Sequence, residues 1–256
     1  MNKYFIPNLS EACKILKTLV LKNKGFTISE IAREHNLPRT SVMRIVKTLV
    51  HENFLREESK LYYPGTSLIH LGLATLNNID IQNVSKDVLK ELTSKTGETS
   101  HIAVRMKDRS LLLEVYDSPE LVKVSSKAGT LTHLHCSSTG KIFIANMEDK
   151  ELIEFCQNNE LEKRTKNTIT SLSKLIKEKE KILSQGYAFD DEEYHEHVRC
   201  LAAPIKDAYG KVVAAIGITA TITRFTYDKL DYYADTVKDA ASKISQKLGY
   251  TKNRLT

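Results

Sequence analysis

Apolar positions near the start of the chain recur at helical spacing in three separate runs, and the spacing then switches to alternation. Leu9, Ala12, Cys13, Leu16, Leu19 and Val20 give a first helix with a buried face, and Asn8 with Glu11 forms a capping box in front of it. Thr27 and Glu30 form a second box ahead of Ile28, Ile31 and Ala32, and Asn36 suits the left-handed position that ends a short helix. After the turn at Leu37, Pro38 occupies the first helical position. Val42, Ile45, Val46, Leu49 and Val50 then give the third helix its core stripe. Residues 54–56 and 61–63 read as strands around a polar turn at 57–60. Three short helices followed by a hairpin make a winged helix-turn-helix.

Further along, 66–76 is an apolar helical stretch that reads either as a helix linking two domains or as a core helix of the second. A helix follows over 84–96. Period-two segments come next at 99–106, 111–116 and 121–127, then helices at 138–146, 149–157 and 171–185. Strands at 198–206 and 212–221, joined by a turn at 207–210, precede a long helix over 226–248. Strands, helices and strands in that order predict an α+β fold with a largely antiparallel sheet, and they fit a parallel nucleotide-binding sheet poorly. The expected organisation is a winged helix-turn-helix domain at 1–65, a linker helix at 66–80 and a second domain at 81–256.

The polar face of the third helix carries Arg39, Thr40, Ser41, Met43, Arg44 and Lys47. In a major groove, the residues nearest the N-terminus of such a helix read base edges. Arg39, Thr40, Ser41 and Arg44 are therefore the candidate base readers, and Ser29, Lys47, Arg56 and Lys60 the candidate phosphate contacts. The plain alternative is a helical bundle with a solvated basic face.

Composition sharpens this division. The chain has 256 residues, 41% hydrophobic and 27% charged, an ordinary globular balance with room for two domains. Its formal charge is +6, and residues 1–65 hold 11 Lys and Arg against 6 Asp and Glu, so nearly all of the surplus lies in the first module. That asymmetry suits attraction to phosphate, although surplus lysine also serves solubility. No apolar targeting segment opens the sequence and no long uncharged apolar run occurs, so a cytoplasmic location is expected. Cys13, Cys136, Cys156 and Cys200 lack metal or disulfide spacing and read as reduced, mostly buried thiols.

Three separated segments carry a family resemblance. They are Leu37-Pro38-Arg39-Thr40-Ser41-Val42-Met43-Arg44 with Lys47-Thr48-Leu49; His135-Cys136-Ser137-Ser138-Thr139-Gly140-Lys141; and Gly186-Tyr187-Ala188-Phe189-Asp190-Asp191-Glu192-Glu193, leading into Val198-Arg199-Cys200-Leu201-Ala202-Ala203-Pro204-Ile205. In that order they resemble the IclR family of bacterial transcriptional regulators, over nearly the whole chain. The resemblance implies a winged-helix head, a linker helix, a GAF-like domain binding a small effector, and homodimers that often pair into tetramers. The effector residues it implies are Leu121, Ser138, Thr139, Asp190, Val198, Cys200, Gly217 and Thr219. Ser138 and Thr139 open a helix, whose free amides and positive dipole end seat a carboxylate. A small organic acid is thus the favoured ligand, and an imperfect inverted repeat of double-stranded DNA the favoured operator.

The chain departs from the family pattern at His133, where Pro is common, at His197, where Gly is common, and at Gly217, where Ser is frequent. His133, His135, His195 and His197, with Cys136, Cys200 and Asp191, leave open a transition-metal site beside the reading as pocket and surface histidines. No cofactor is called for and no metal ligand is assigned. Cys136 or Cys200 near His135 is drawable as a nucleophile and base, but no third orienting residue, G-x-S-x-G elbow or phosphate loop accompanies them, so no enzymatic activity is expected. A constitutive DNA-binding protein whose second domain only oligomerises is the remaining alternative.

Overall fold

The computed structural model describes residues 4–22, 24–77 and 80–251. It divides into two compact units, Met1–Ile79 and Asp80–Thr256.

In the first unit, α1 (Pro7–Lys22) buries Ile15 and Leu19, with Ala12 and Leu16 half-buried beside them. The inward stripe thus runs 12, 15, 16, 19, and the expected members Leu9, Cys13 and Val20 lie on the exposed side. Asn8 stands inside the helix and Glu11 pairs with Lys14 at 2.7 Å, so the capping box expected there does not form. The second box does form. Thr27 Oγ1 accepts from the Glu30 amide at 3.2 Å and Glu30 Oε2 accepts from the Thr27 amide at 2.8 Å, opening α2 (Ile28–Glu34). Asn36 is left-handed at φ 52°. Pro38 is the cap immediately before α3 (Arg39–His51) rather than its first helical residue. β1 (Leu55–Glu58) and β2 (Leu61–Pro64) pair antiparallel. The turn between them is shorter than expected: only Ser59 and Lys60, both at positive φ, the handedness a two-residue hairpin loop requires. Phe26 exchanges backbone bonds with Tyr62 and ties the wing to the loop before α2. Ile15, Leu19, Phe26, Ile31, Val42, Val46, Leu49, Leu55 and Tyr62 form the core. α4 (Thr66–Asn77) ends this unit.

The second unit opens with α5 (Asp80–Thr96) and then β3 (Thr99–Met106) and β4 (Arg109–Tyr116). After them come β5 (Leu131–His133), α6 (Ser138–Ala145), α7 (Asp149–Asn158), α8 (Leu172–Gln185) and β6 (Ala188–Asp191). β7 (Val198–Lys206), β8 (Val212–Thr221) and α9 (Leu230–Lys247) complete it. The six strands lie in the order β5-β4-β3-β8-β7-β6 with every neighbouring pair antiparallel, as an α+β chain demands. Residues 121–127 are not a strand. Side chains hold that segment instead, with Arg224 on the Val122 carbonyl and Thr99 Oγ1 on that of Val124, and β5 takes the place beside β4. Along β7 and β8 the side chains alternate between faces. Ala188, Ala202 and Ala215 pack with α6 to α8 on one face, while Leu201, Ala203, Ile216 and Ile218 turn to the other, where α5 and α9 lie. Both faces are therefore covered.

Candidate functional site: a recognition helix and a buried polar cavity

Arg39, Thr40 and Arg44 are exposed along α3, and Ser41 is half-buried where the helix leans on α1. Ser29 is exposed in the first turn of α2, where unsatisfied amides favour an anion. Not every cation is equally available. Lys47 is bonded to Glu57 on β1 at 2.6 Å, which raises the lysine's pKa, so this charge is already partnered. Arg56 pairs with Glu58 and lies 4.9 Å over the Tyr63 ring. Lys60 stands at the exposed tip of the wing.

In the second unit a cavity of about 130 Å³ opens between the sheet and the start of α6. Gly140 fixes how closely α6 approaches the chain before it. A Cβ there would lie 2.5 Å from the Leu134 Cα, so only glycine lets the first turn of α6 press this closely on the backbone before it. Ser137 caps the helix, its Oγ accepting from the Gly140 amide at 3.2 Å. That leaves the Ser138 and Thr139 amides among the first-turn donors that a helix cannot satisfy itself. Ser138, Thr139, Asp190, Val198, Cys200 and Thr219 all line the cavity. Thr139 Oγ1 bonds Ser110 Oγ at 2.9 Å, and Cys200 Sγ lies 3.3 Å from Thr219 Oγ1. Leu121 does not join them, because it is fully exposed on the segment that failed to become a strand. Gly217 contributes no lining either; a Cβ there would meet the Leu201 carbonyl at 2.5 Å.

The buried electrostatics are concentrated around this cavity. Asp190 is 1% exposed; its Oδ1 accepts from the Glu193 amide at 2.7 Å and the Tyr194 amide at 3.2 Å, while Oδ2 is buried without a partner. Burial, reinforced by the neighbouring Glu193 charge, pushes its carboxyl up to about 7. Behind it, Lys141 is wholly buried, bonded to Glu178 at 2.8 Å, to the Phe189 carbonyl at 2.5 Å and to Glu193. His195, one of the histidines expected at a pocket or the surface, lines the cavity, and so do His101, Thr132 and Tyr194, for which the sequence carries no such signal. His101 is a polar residue in the buried stretch of β3, a signal that is visible only in hindsight.

His133 and His135 stay together, their rings 5.5 Å apart, and His197 stands away from them in solvent. His135 Nε2 bonds the Glu162 carbonyl at 3.0 Å, His133 lies 3.4 Å from the Glu162 carboxylate, and His197 is exposed at φ 65°. Among the described residues, no group of three or more His, Cys, Asp or Glu is arranged to hold a metal. Burial lifts the Cys136 thiol to about 12 and Cys200 well above its ordinary value, so both stay protonated. Cys13 is exposed, against the expectation of burial. No helix among the described residues is long and apolar enough to cross a membrane.

Residues 73–246 match the bacterial transcriptional regulator IclR C-terminal family, and residues 9–59 match the IclR helix-turn-helix domain. The HTH-type transcriptional repressor AllR of Salmonella typhi is 29% identical over 243 residues, covering 94% of this chain and 89% of its own. The Thermotoga maritima IclR structure is similar with a TM-score of 0.74 at 31% identity, over 96% of this chain and 100% of its own. An IclR homolog from Microbacterium hydrocarbonoxydans complexed with 4-hydroxybenzoate shares the fold, with a TM-score of 0.82 at 20% identity over 94% of this chain and 98% of its own. The two family matches, a helix-turn-helix head and the C-terminal domain after it, together span most of the sequence, and the chain belongs to the IclR family of bacterial transcriptional regulators.

Proposed function

We propose that the protein represses transcription by binding an imperfect inverted repeat as a homodimer or pair of dimers, and that a small organic acid in the second unit controls operator affinity. The observation that carries the effector half is the cavity itself: a helix N-terminus at one end and, in its lining, Asp190, whose Oδ2 is buried without a partner. Buried polar atoms without partners are rare in folded proteins and invite a ligand that satisfies them. A carboxylate seats on the amides of α6, while Val198 and Leu112 cover the ligand's apolar part. The volume sets the scale. A dry cavity of roughly 150 Å³ holds a benzene molecule, so about 130 Å³ suits an acid of about four to six non-hydrogen atoms. The 4-hydroxybenzoate bound by the Microbacterium homolog supports an acid as the ligand class but is larger than this cavity holds unopened.

On DNA, two copies of α3 in successive major grooves would place Arg39, Thr40, Ser41 and Arg44 at base edges, with Ser29, Lys47, Arg56 and Lys60 on phosphates, Lys47 and Arg56 in competition with their partners Glu57 and Glu58. Repression is favoured because the AllR relatives are repressors. The effector acts only if it binds two arrangements of the dimer unequally, and α4, which lies between the two lobes in the chain, would carry the change. The domain assignment proposed with this function is DNA binding at 1–65, linkage at 66–80, and effector binding with oligomerisation at 81–256.

A thermal-shift screen of short-chain acids against the whole protein, followed by operator titration with each hit, tests this. A binding acid raises the midpoint by mass action and changes operator affinity. Stabilisation without any change in operator affinity would defeat the switch, and no stabilisation by any acid would favour a constitutive binder.

A further inference from the structure

We infer that His101 is a ligand-reading residue of the cavity, which makes the site select acids carrying a second oxygen beside the carboxylate over the unsubstituted acids. The inference rests on the effector reading above and assigns within it a residue and a selectivity.

The register of the sheet supplies the first observation. His101 on β3 stands directly opposite Gly217 on β8, and Cys200 pairs with both Thr219 and Asp190. By the alternation of a pleated sheet, these side chains share the face that looks toward α6. Gly217 is the position at which the family often carries a serine, and here no side chain fits. A Cβ on it would lie 2.5 Å from the Leu201 carbonyl and 3.2 Å from His101 Nε2. The polar group at this point of the wall therefore comes from the neighbouring strand, and glycine leaves room for the imidazole.

The second observation is an unmet hydrogen bond. His101 is 4% exposed, lines the cavity, and has a buried Nδ1 with no partner. His135, by contrast, has its Nε2 bonded to the Glu162 carbonyl, and buried polar atoms are usually partnered. Burial pulls the His101 pKa down to about 4, so the ring is neutral and keeps both a donor and an acceptor. Of the cavity's lining side chains, Asp190 is the other with a buried unpartnered atom, Oδ2. Two unsatisfied groups in a space this small call for a ligand with a polar atom besides its carboxylate. A 2-hydroxy or 2-oxo acid provides one; a plain acid leaves the imidazole unsatisfied.

The test is isothermal titration of the whole protein with lactate, pyruvate and propionate, which share a carbon count and differ at one position. The wild type is expected to prefer lactate or pyruvate to propionate by roughly ten- to hundredfold, the worth of one unmet buried polar group. In His101→Leu that ratio should collapse toward one, with the melting point of the ligand-free protein equal to or above wild type because a buried orphan has been removed. His101→Asn, which keeps a polar group near the Nδ1 position, should retain part of the ratio. A His101→Leu protein with the wild-type ratio overturns the role of His101 and leaves the effector reading standing. A lower melting point together with an unchanged ratio makes His101 a structural residue. Failure of the wild type to bind any of the three overturns the selectivity assigned to His101, whereas the effector reading falls only if the wider acid screen is silent too.

Discussion

The two units handle charge in opposite ways. The core of the helix-turn-helix unit is apolar throughout, and its cations and carboxylates stand on the surface. The larger unit buries Lys141, Asp190, Glu193, His101 and Arg199. Surface charges contribute little to stability, and they can exchange a protein partner or water for phosphate. Buried charges have no such freedom. Each must be matched by a neighbour, by a proton or by a ligand, and two of the unmatched atoms, His101 Nδ1 and Asp190 Oδ2, belong to side chains that line the cavity.

The largest expected effect comes from breaking the matched part of that network. Lys141→Met leaves Glu178 and Glu193 without their buried cation and should cost about 3–5 kcal/mol in chemical denaturation. A change below about 1 kcal/mol would mean that those carboxylates take up protons freely and that the contrast between the units is shallow. In the first unit, Leu19→Ala removes a wholly buried side chain and should cost about 2–5 kcal/mol. Operator binding should then fail at a lower temperature while acid binding persists; equal loss of both would dissolve the comparison.

Arg44→Ala should weaken operator binding by about 1–3 kcal/mol and relax preference at one base pair, as read by competition against single-base variants. Lys47→Ala should cost less, because its ammonium is already committed to Glu57. An equal loss would mean that DNA draws Lys47 away from its partner. The effect at Asp190 depends on pH and vanishes when the solution is acidic. Asp190 titrates at about 7 when folded and near 3.8 when exposed, so between those values the unfolded chain releases a proton that the folded chain keeps. Its contribution to stability therefore falls as pH rises through that window. Asp190→Asn should match the wild type below the window and exceed it increasingly up to neutral pH. Parallel stability curves for the two proteins would show that Asp190 is ionised in the fold.

Much of the fold was legible because period and capping are local properties. The strands at 198–206 and 212–221 have the bounds expected of them, and so does the Thr27–Glu30 box. The misreadings share one cause. The face of α1 that turns inward is chosen by α3 and the wing, and an apolar run such as 121–127 becomes a strand only if a partner's backbone is free to pair with it.

The candidate base readers could be named from the sequence because α3 presents them by its own periodicity. The cavity could not be read so completely. Ser138, Thr139, Asp190 and Cys200 were reachable through short motifs, whereas Leu121 was misplaced and His101 was missed. Sequence by itself determined which segments become helices and strands, where positive charge accumulates and which helix offers its polar face. Tertiary structure decided that His101 faces Gly217 across a strand pair, that Lys141 lies among carboxylates, and that His101 Nδ1 and Asp190 Oδ2 stay unsatisfied. Those outcomes depend on register and close packing between residues far apart in the chain, and no local pattern encodes such distances.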